Sequence, residues 1–215
     1  ILGVNKLKKH RLIIFILTLG VFGILNTEMG FIGLIPNIAT HFNVSTSTAG
    51  WLVSAFAIGI AISGPIMPLL MSKLERKRIM ILVLSIFVVS NLISIFTTSF
   101  SVLLIARIIP AIFHPVYIAL AFSVAADSVA SKDAPKAVSR VFIGVSAGMV
   151  IGVPIVNFLA SQFSLEVAMT FFAMINIIVL IMTLYFIPRM TNKETTSYGS
   201  QLQILKRPLT WISII

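Results

Sequence analysis

LLIARIIPAIFHPVY, residues 103–117, places an arginine and a histidine, Arg107 and His114, one heptad apart inside an otherwise apolar run. A heptad is close to two helical turns, so both polar groups, with Pro110 and Ala111 between them, share one stripe of a helix. A guanidinium in such a run is costly to bury, and where the run crosses a membrane it reads as functional by default. The rest of the chain decides whether it does cross.

Hydrophobic residues make up 58% of the 215-residue chain and charged residues only 10%, with a mean hydropathy of +1.08. These values belong to an integral membrane protein rather than a soluble domain. The net charge of +10 is not a nucleic-acid signature, because the basic residues fall in short clusters between apolar runs with no interleaved aromatics. With no cysteine there is neither a disulfide framework nor a thiolate metal site, and His10, His41 and His114 are too scattered to suggest a metal centre. No metal or cofactor is therefore expected.

A membrane core of roughly 30 Å takes about 20 helical residues to cross. Six apolar runs are long enough: residues 12–35, 49–71, 79–96, 102–125, 141–160 and 167–187. Their short connections make consecutive helices antiparallel neighbours. The fold expected is thus an all-α six-transmembrane-helix bundle. The basic start resembles a signal peptide, yet its apolar run is too long and lacks a small-residue cleavage site, so it is read as a retained first helix.

Orientation follows from the charges. Lys6, Lys8, Lys9 and Arg11 precede the first run, Lys73, Arg76, Lys77 and Arg78 separate the second and third, and Lys132, Lys136 and Arg140 separate the fourth and fifth. Arg189, Lys193, Lys206 and Arg207 follow the sixth, while the alternate loops at 36–48, 97–101 and 161–166 hold no lysine or arginine. Residues 1–11 are accordingly expected to be a cytoplasmic amino terminus, 12–188 the bundle, 189–207 a cytoplasmic linker and 208–215 the start of a seventh helix. On that reading the chain is a fragment.

Glu28 is the acidic residue of the first run. Counted inward from the two ends, Glu28 lies about 24 Å along its helix and Arg107 about 8 Å along its own, so both fall at similar depth in the outer half. They are expected to be partners across one cavity, with His114 about 10 Å deeper as a hydrogen-bonded packing residue. The plain alternative is a static ion pair that fixes packing. The second helix offers a small-residue face at Ala55, Gly59 and Ser63 and a bend at Gly64, Pro65 and Pro68. The third run, with only Ser85, Ser90, Asn91 and Ser94 as polar content, reads as a lipid-facing support. In the fifth, Gly144, Gly148 and Gly152 recur every four residues before Pro154, which suits a close, bendable helix contact.

Taken together, NTEMGFIGLIPNIA (26–39), VSTSTAGWLVSAFAIGIAISGP (44–65), ARIIPAIFHP (106–115) and GMVIGVP (148–154) resemble the amino-terminal half of a major facilitator superfamily transporter, in its twelve-helix drug:proton and sugar-efflux antiporter branch. The likeness covers about residues 10–215. It implies one half of a major facilitator fold in the plasma membrane, acting with a second six-helix half, on protons and a small organic solute such as a drug, sugar or nucleoside. The family's loop motif Gly-x-x-x-Asp-Arg-x-Gly-Arg-Arg falls on 68–77. There Lys73, Arg76 and Lys77 keep its basic character, but Pro68, Ser72 and Glu75 stand for its first glycine, aspartate and second glycine. Latching through that aspartate is therefore not expected.

The fourth-helix motif Arg-x-x-Gln-Gly maps onto 107–111. The resemblance implies a cavity-facing, proton-coupling role for Arg107, while Pro110 and Ala111 depart from the pattern. The antiporter motif Gly-x-x-x-Gly-Pro maps onto Gly148, Gly152 and Pro154 with Val153 inserted, and a Gly-Trp-Arg before the sixth helix is Ser164, Leu165 and Glu166 here. The expectation is a transporter and not an enzyme, with Glu28, Arg107 and His114 at the cavity. An intramembrane hydrolase built on His114 would need a nucleophile motif, and neither Gly-x-Ser-x-Gly nor His-Glu-x-x-His is present. A channel filter signature is equally missing. An inert fragment, able to insert but not to transport, is the remaining alternative.

Overall fold

The computed structural model describes residues 2–190, with side chains from His10 onward. The expected linker beyond Met190, the seventh helix at 208–215 and the side chains of Lys6, Lys8 and Lys9 lie outside what is described. Among the described residues every regular element is helical. They are α1 (Leu2–His41), α2 (Thr46–Ser63), α3 (Met67–Met71), α4 (Arg76–Phe96), α5 (Phe100–Asp127), α6 (Ala134–Ala147), α7 (Val153–Gln162) and α8 (Leu165–Phe186). A 3₁₀ turn, Ser131–Asp133, precedes α6, and a π-helical turn, Gly148–Gly152, joins α6 to α7 in one long span. Six spans among the described residues are long and apolar enough to cross a membrane.

The helix boundaries have local causes. Ser45 accepts a hydrogen bond from Thr48 N at 3.0 Å and caps α2. Ser164 caps α8 through Val167 N at 3.3 Å. Glu75, which stands for a glycine of the loop motif, caps α4 by accepting from Lys77 N at 3.2 Å and also takes Met190 N. The bend expected near the end of the second span is present as a break within it: α2 ends at Ser63, and α3 restarts at Met67 with Pro68 in its first turn, where a missing N–H costs nothing.

Pro36 does not end the first helix; α1 runs through it to His41. In apolar surroundings an intact helix is what satisfies the backbone, so losing one hydrogen bond is cheaper than opening the chain. At 40 residues α1 is about 60 Å long, which exceeds a bilayer core of about 30 Å, so the basic residues before Leu12 continue the same helix. The third span is also more than a lipid-facing support. Ile79, Val83, Phe87, Ser90 and Asn91 are buried, with α4 packed against α5 and α8, while Leu82, Val89 and Phe96 stay exposed.

Among the described side chains the lysines and arginines, Arg107 apart, gather at one end of the bundle. There His10 Nδ1 meets Ser128 O, Arg76 pairs with Asp127, and Lys77 Nζ donates to Leu184 O at 2.8 Å. At the opposite end His41 Nδ1 lies 3.5 Å from Glu166, and Phe42 packs edge-on to Phe100. Both members of the His41–Glu166 pair are substantially exposed, so it contributes little to stability.

α1 is the central element, touching α2, α5, α6, α7 and α8. Its apolar contacts form two layers. One lies toward the basic end around Ile16, Leu17, Val21 and Ile24; the other lies toward the far end around Phe31, Leu34 and Ile38. Between Leu25 and Phe31 on α1, and between Leu103 and Val116 on α5, the packing is interrupted by a polar layer that includes Arg107 and His114. That layer holds the site.

Candidate functional site

Direction along a helix decides which groups meet. Side chains lean toward the amino terminus of their own helix while carbonyl oxygens point the other way. α1 runs from the basic end to the far end and α5 runs back. The Glu28 side chain therefore leans toward the basic end and that of His114 toward the far end, and the two converge: Glu28 Oε2 lies 3.0 Å from His114 Nε2. The approach is close but off the line of an aligned hydrogen bond, and His114 Nδ1 has no partner.

Arg107 leans toward the far end, away from that carboxylate. Its two terminal nitrogens donate to the main-chain oxygens of Thr27, at 3.1 Å, and Glu28, at 3.3 Å. The expected Glu28–Arg107 side-chain pair is not formed, and the Glu28 carboxylate meets His114 instead. Arg107 is 2% exposed and enclosed within the bundle. Its guanidinium carbon lies 4.0 Å from the centre of the Phe31 ring and 4.2 Å from that of Phe56. Each ring contact is worth about 2 kcal/mol once desolvated, and each hydrogen bond from a charged donor about 1.5–3 kcal/mol.

The surrounding polar residues are tied in. Asn176 Nδ2 donates to Thr27 Oγ1 at 3.0 Å and to Phe172 O at 2.9 Å. Pro115 has no N–H for Ala111 O, and Ser63 Oγ lies 3.4 Å from that oxygen. The small face of α2 is therefore used against α5: a Cβ on Gly59 would come within 2.9 Å of Ala111 Cβ. Gly144, Gly148 and Gly152 face α1, where Asn26 lies against the π-helical turn with both amide atoms unpartnered. Pro154 opens α7 at the end of that turn.

Of the loop residues, Ser72 ends α3 with its hydroxyl on Leu69 O, Arg76 reaches Asp127, Lys77 reaches α8, and Lys73 is exposed. They sit at the basic end, apart from the polar layer. Sequence reading missed Phe31, Phe56, Asn26 and Thr27, because an aromatic, an amide or a hydroxyl in an apolar run carries no periodic signal of its own. Phe31 alone had one, lying one helical turn beyond Glu28.

A carboxylate and an imidazole are both groups able to exchange protons, and here they lie in contact beside a buried guanidinium. Six membrane spans enclosing such a group define a multi-pass membrane protein with a titratable interior. The sequence model described as Major Facilitator Superfamily matches residues 16–215, and the chain belongs to that family of transporters.

Among its relatives are an MFS-type transporter, YtbD, of Bacillus subtilis, 32% identical over 88% of this chain and 48% of its own length, and a probable sugar efflux transporter of Pasteurella multocida, 30% identical over 93% and 49%. The chain spans about half the length of the curated relatives it matches. The proton:xylose symporter XylE, solved with 6-bromo-6-deoxy-D-glucose, superposes with a TM-score of 0.70 at 19% identity over 85% of this chain and 45% of that one, which shows the fold.

Proposed function

We propose that the chain forms one wall of a proton-coupled efflux antiporter that moves a small organic solute, such as a drug, sugar or nucleoside, by alternating access. The observation that carries this reading is the Glu28–His114 contact of 3.0 Å within a polar layer that also holds Arg107. The efflux names carried by several relatives support the direction of transport. The other wall is a second six-helix bundle, in keeping with relatives about twice as long as the matched stretch. The stripe at Gly144, Gly148, Gly152 and Pro154 gives a contact able to adjust as the bundles rock, and the loop at Ser72, Lys73, Arg76 and Lys77 lies on the cytoplasmic side of the plasma membrane. That side is assigned because arginine and lysine gather there.

In the cycle, a proton taken up by the pair in one state removes the negative charge of Glu28, and its release in the other state restores it. A gradient of one pH unit then supplies about 1.4 kcal/mol per proton. Glu28→Gln in the complete transporter is expected to abolish efflux driven by an imposed pH gradient while leaving substrate binding. The check is flux into proteoliposomes with and without the gradient; pH-driven flux equal to the parent's would remove Glu28 from the coupling.

A further inference from the structure

The polar layer contains one guanidinium and one carboxylate, and the carboxylate acts on Arg107 only through space because its direct contact is with His114. The groups that touch the guanidinium are therefore others. We propose that Phe31 and Phe56 are positioning residues whose ring faces act as the counter-charge of Arg107, and that they thereby reserve the Glu28 carboxylate for His114. Purpose alone rests on the coupling role proposed above; the arrangement itself stands on geometry.

Both rings are buried and held from behind. Phe31 stacks on Phe172 with centroids 5.5 Å apart, and Phe172 occupies the notch left by Gly30, where a Cβ would run into its ring. Phe56 stands T-shaped to His114 at 5.9 Å, so one ring borders both the guanidinium and the imidazole. The ring faces carry the negative side of the quadrupole. Two main-chain oxygens fix the remaining sides of the guanidinium, and its Nε is unpartnered.

No other charge is placed to take over. Among the described side chains α2 carries no titratable group, and α7 none. α5 adds Tyr117 and, at its basic end, Asp127. α4 adds Arg76, Lys77 and Arg78, and α6 adds Lys136 and Arg140, all at that same end. α8 adds Glu166 at the far end and Tyr185 at the basic end, and α1 itself adds His10, Arg11 and His41 at its ends. With a ring face weakened, the guanidinium turns toward the Glu28 carboxylate as the nearest anion.

The test is an infrared pH titration of the protonated-carboxyl band in the complete transporter reconstituted in phosphatidylethanolamine–phosphatidylglycerol vesicles. The band is assigned to Glu28 by its loss in Glu28→Gln. Phe56→Met removes the ring at similar volume, and trifluorophenylalanine at position 56 keeps the ring's shape while depleting its face. Both are expected to move the midpoint to lower pH, by about one unit for Phe56→Met, tenfold in proton concentration. Phe56→Tyr, which keeps the face, is expected to titrate with the parent.

An unshifted midpoint in the fluorinated protein overturns the proposal. So does a Phe56→Tyr shift as large as that of Phe56→Met, or a Glu28 band that titrates in no variant. If Phe56→Met does not fold, the fluorinated ring decides alone. Transport is not the readout, so failure here and failure of the coupling reading are separate results.

Discussion

Arg107→Met in the complete transporter is expected to cut transport at least about a hundredfold while leaving the fold nearly as stable as the parent. The two halves of that expectation have different physical sources. A hundredfold loss corresponds to about 2.7 kcal/mol of barrier, well within what one charge in a desolvated site contributes. Stability behaves differently because the main-chain oxygens that Arg107 contacts do not depend on it for a partner. The oxygens of Thr27 and Glu28 to which it donates lie inside the continuous helix α1, where each also receives its own helical N–H.

Replacing a buried charge by an apolar side chain of similar length is often neutral or even stabilising, by about 1–4 kcal/mol. Methionine sulfur between Phe31 and Phe56 recovers about 0.3–1.5 kcal/mol in ring contacts. Arg107→Lys is expected to restore neither the fork across two carbonyls nor transport. Thermal unfolding in detergent, read beside flux per folded molecule, checks both parts. A collapse in stability with flux per folded molecule preserved would make Arg107 a packing residue only.

Gly144→Ala is expected to be the most damaging single-methyl change in the bundle, and Gly50→Ala the benign counterpart. At Gly144 the added carbon would run into the main-chain oxygen of Thr18, with Thr18 C at 3.1 Å and Phe22 N at 3.2 Å. Those atoms are backbone and cannot swing aside, so α6 must move off α1. Overpacking costs about 1–3 kcal/mol and sometimes more; with backbone on both sides the cost falls at the upper end, about 3 kcal/mol. In a bilayer this close approach is itself the source of helix association, since lipid is as apolar as the helix face.

Around Gly50, by contrast, nothing lies within 4 Å of the position a Cβ would take. There alanine gains the intrinsic helix preference of about 0.5–1 kcal/mol. Melting temperatures measured side by side should move in opposite directions. Equal shifts would mean that α1 and α6 are not in backbone contact.

Much of the fold was legible in the chain. Six spans were marked by length and hydropathy, because the bilayer imposes one thickness on all of them. The break before Met67 was announced by Gly64, Pro65 and Pro68. The glycine repeat at Gly144, Gly148 and Gly152 promised a close contact, though only the fold names α1 as the partner and shows the π-helical turn beside Asn26. The first apolar run was closed at residue 35, before Pro36, yet the helix continues to His41, because proline's effect depends on whether the surroundings offer the chain anything better than a helix.

At the site, Glu28, Arg107 and His114 could be singled out from sequence because charge in an apolar run is costly wherever it lies. Depth along the helices put Glu28 and Arg107 level, and their side-chain and main-chain atoms do meet. What depth could not give was direction: in antiparallel helices the leaning side chains of Glu28 and His114 converge, and that of Arg107 passes beyond toward Phe31. The chain by itself thus determined the class of the protein, its spans and the presence of a charged interior, since composition and hydropathy act without regard to neighbours. Only the tertiary structure decided which groups pair within that interior. Pairing depends on the relative direction and register of α1, α2 and α5, and these are set by packing at Gly59, Gly144 and the rings of Phe31 and Phe56, not by any one segment.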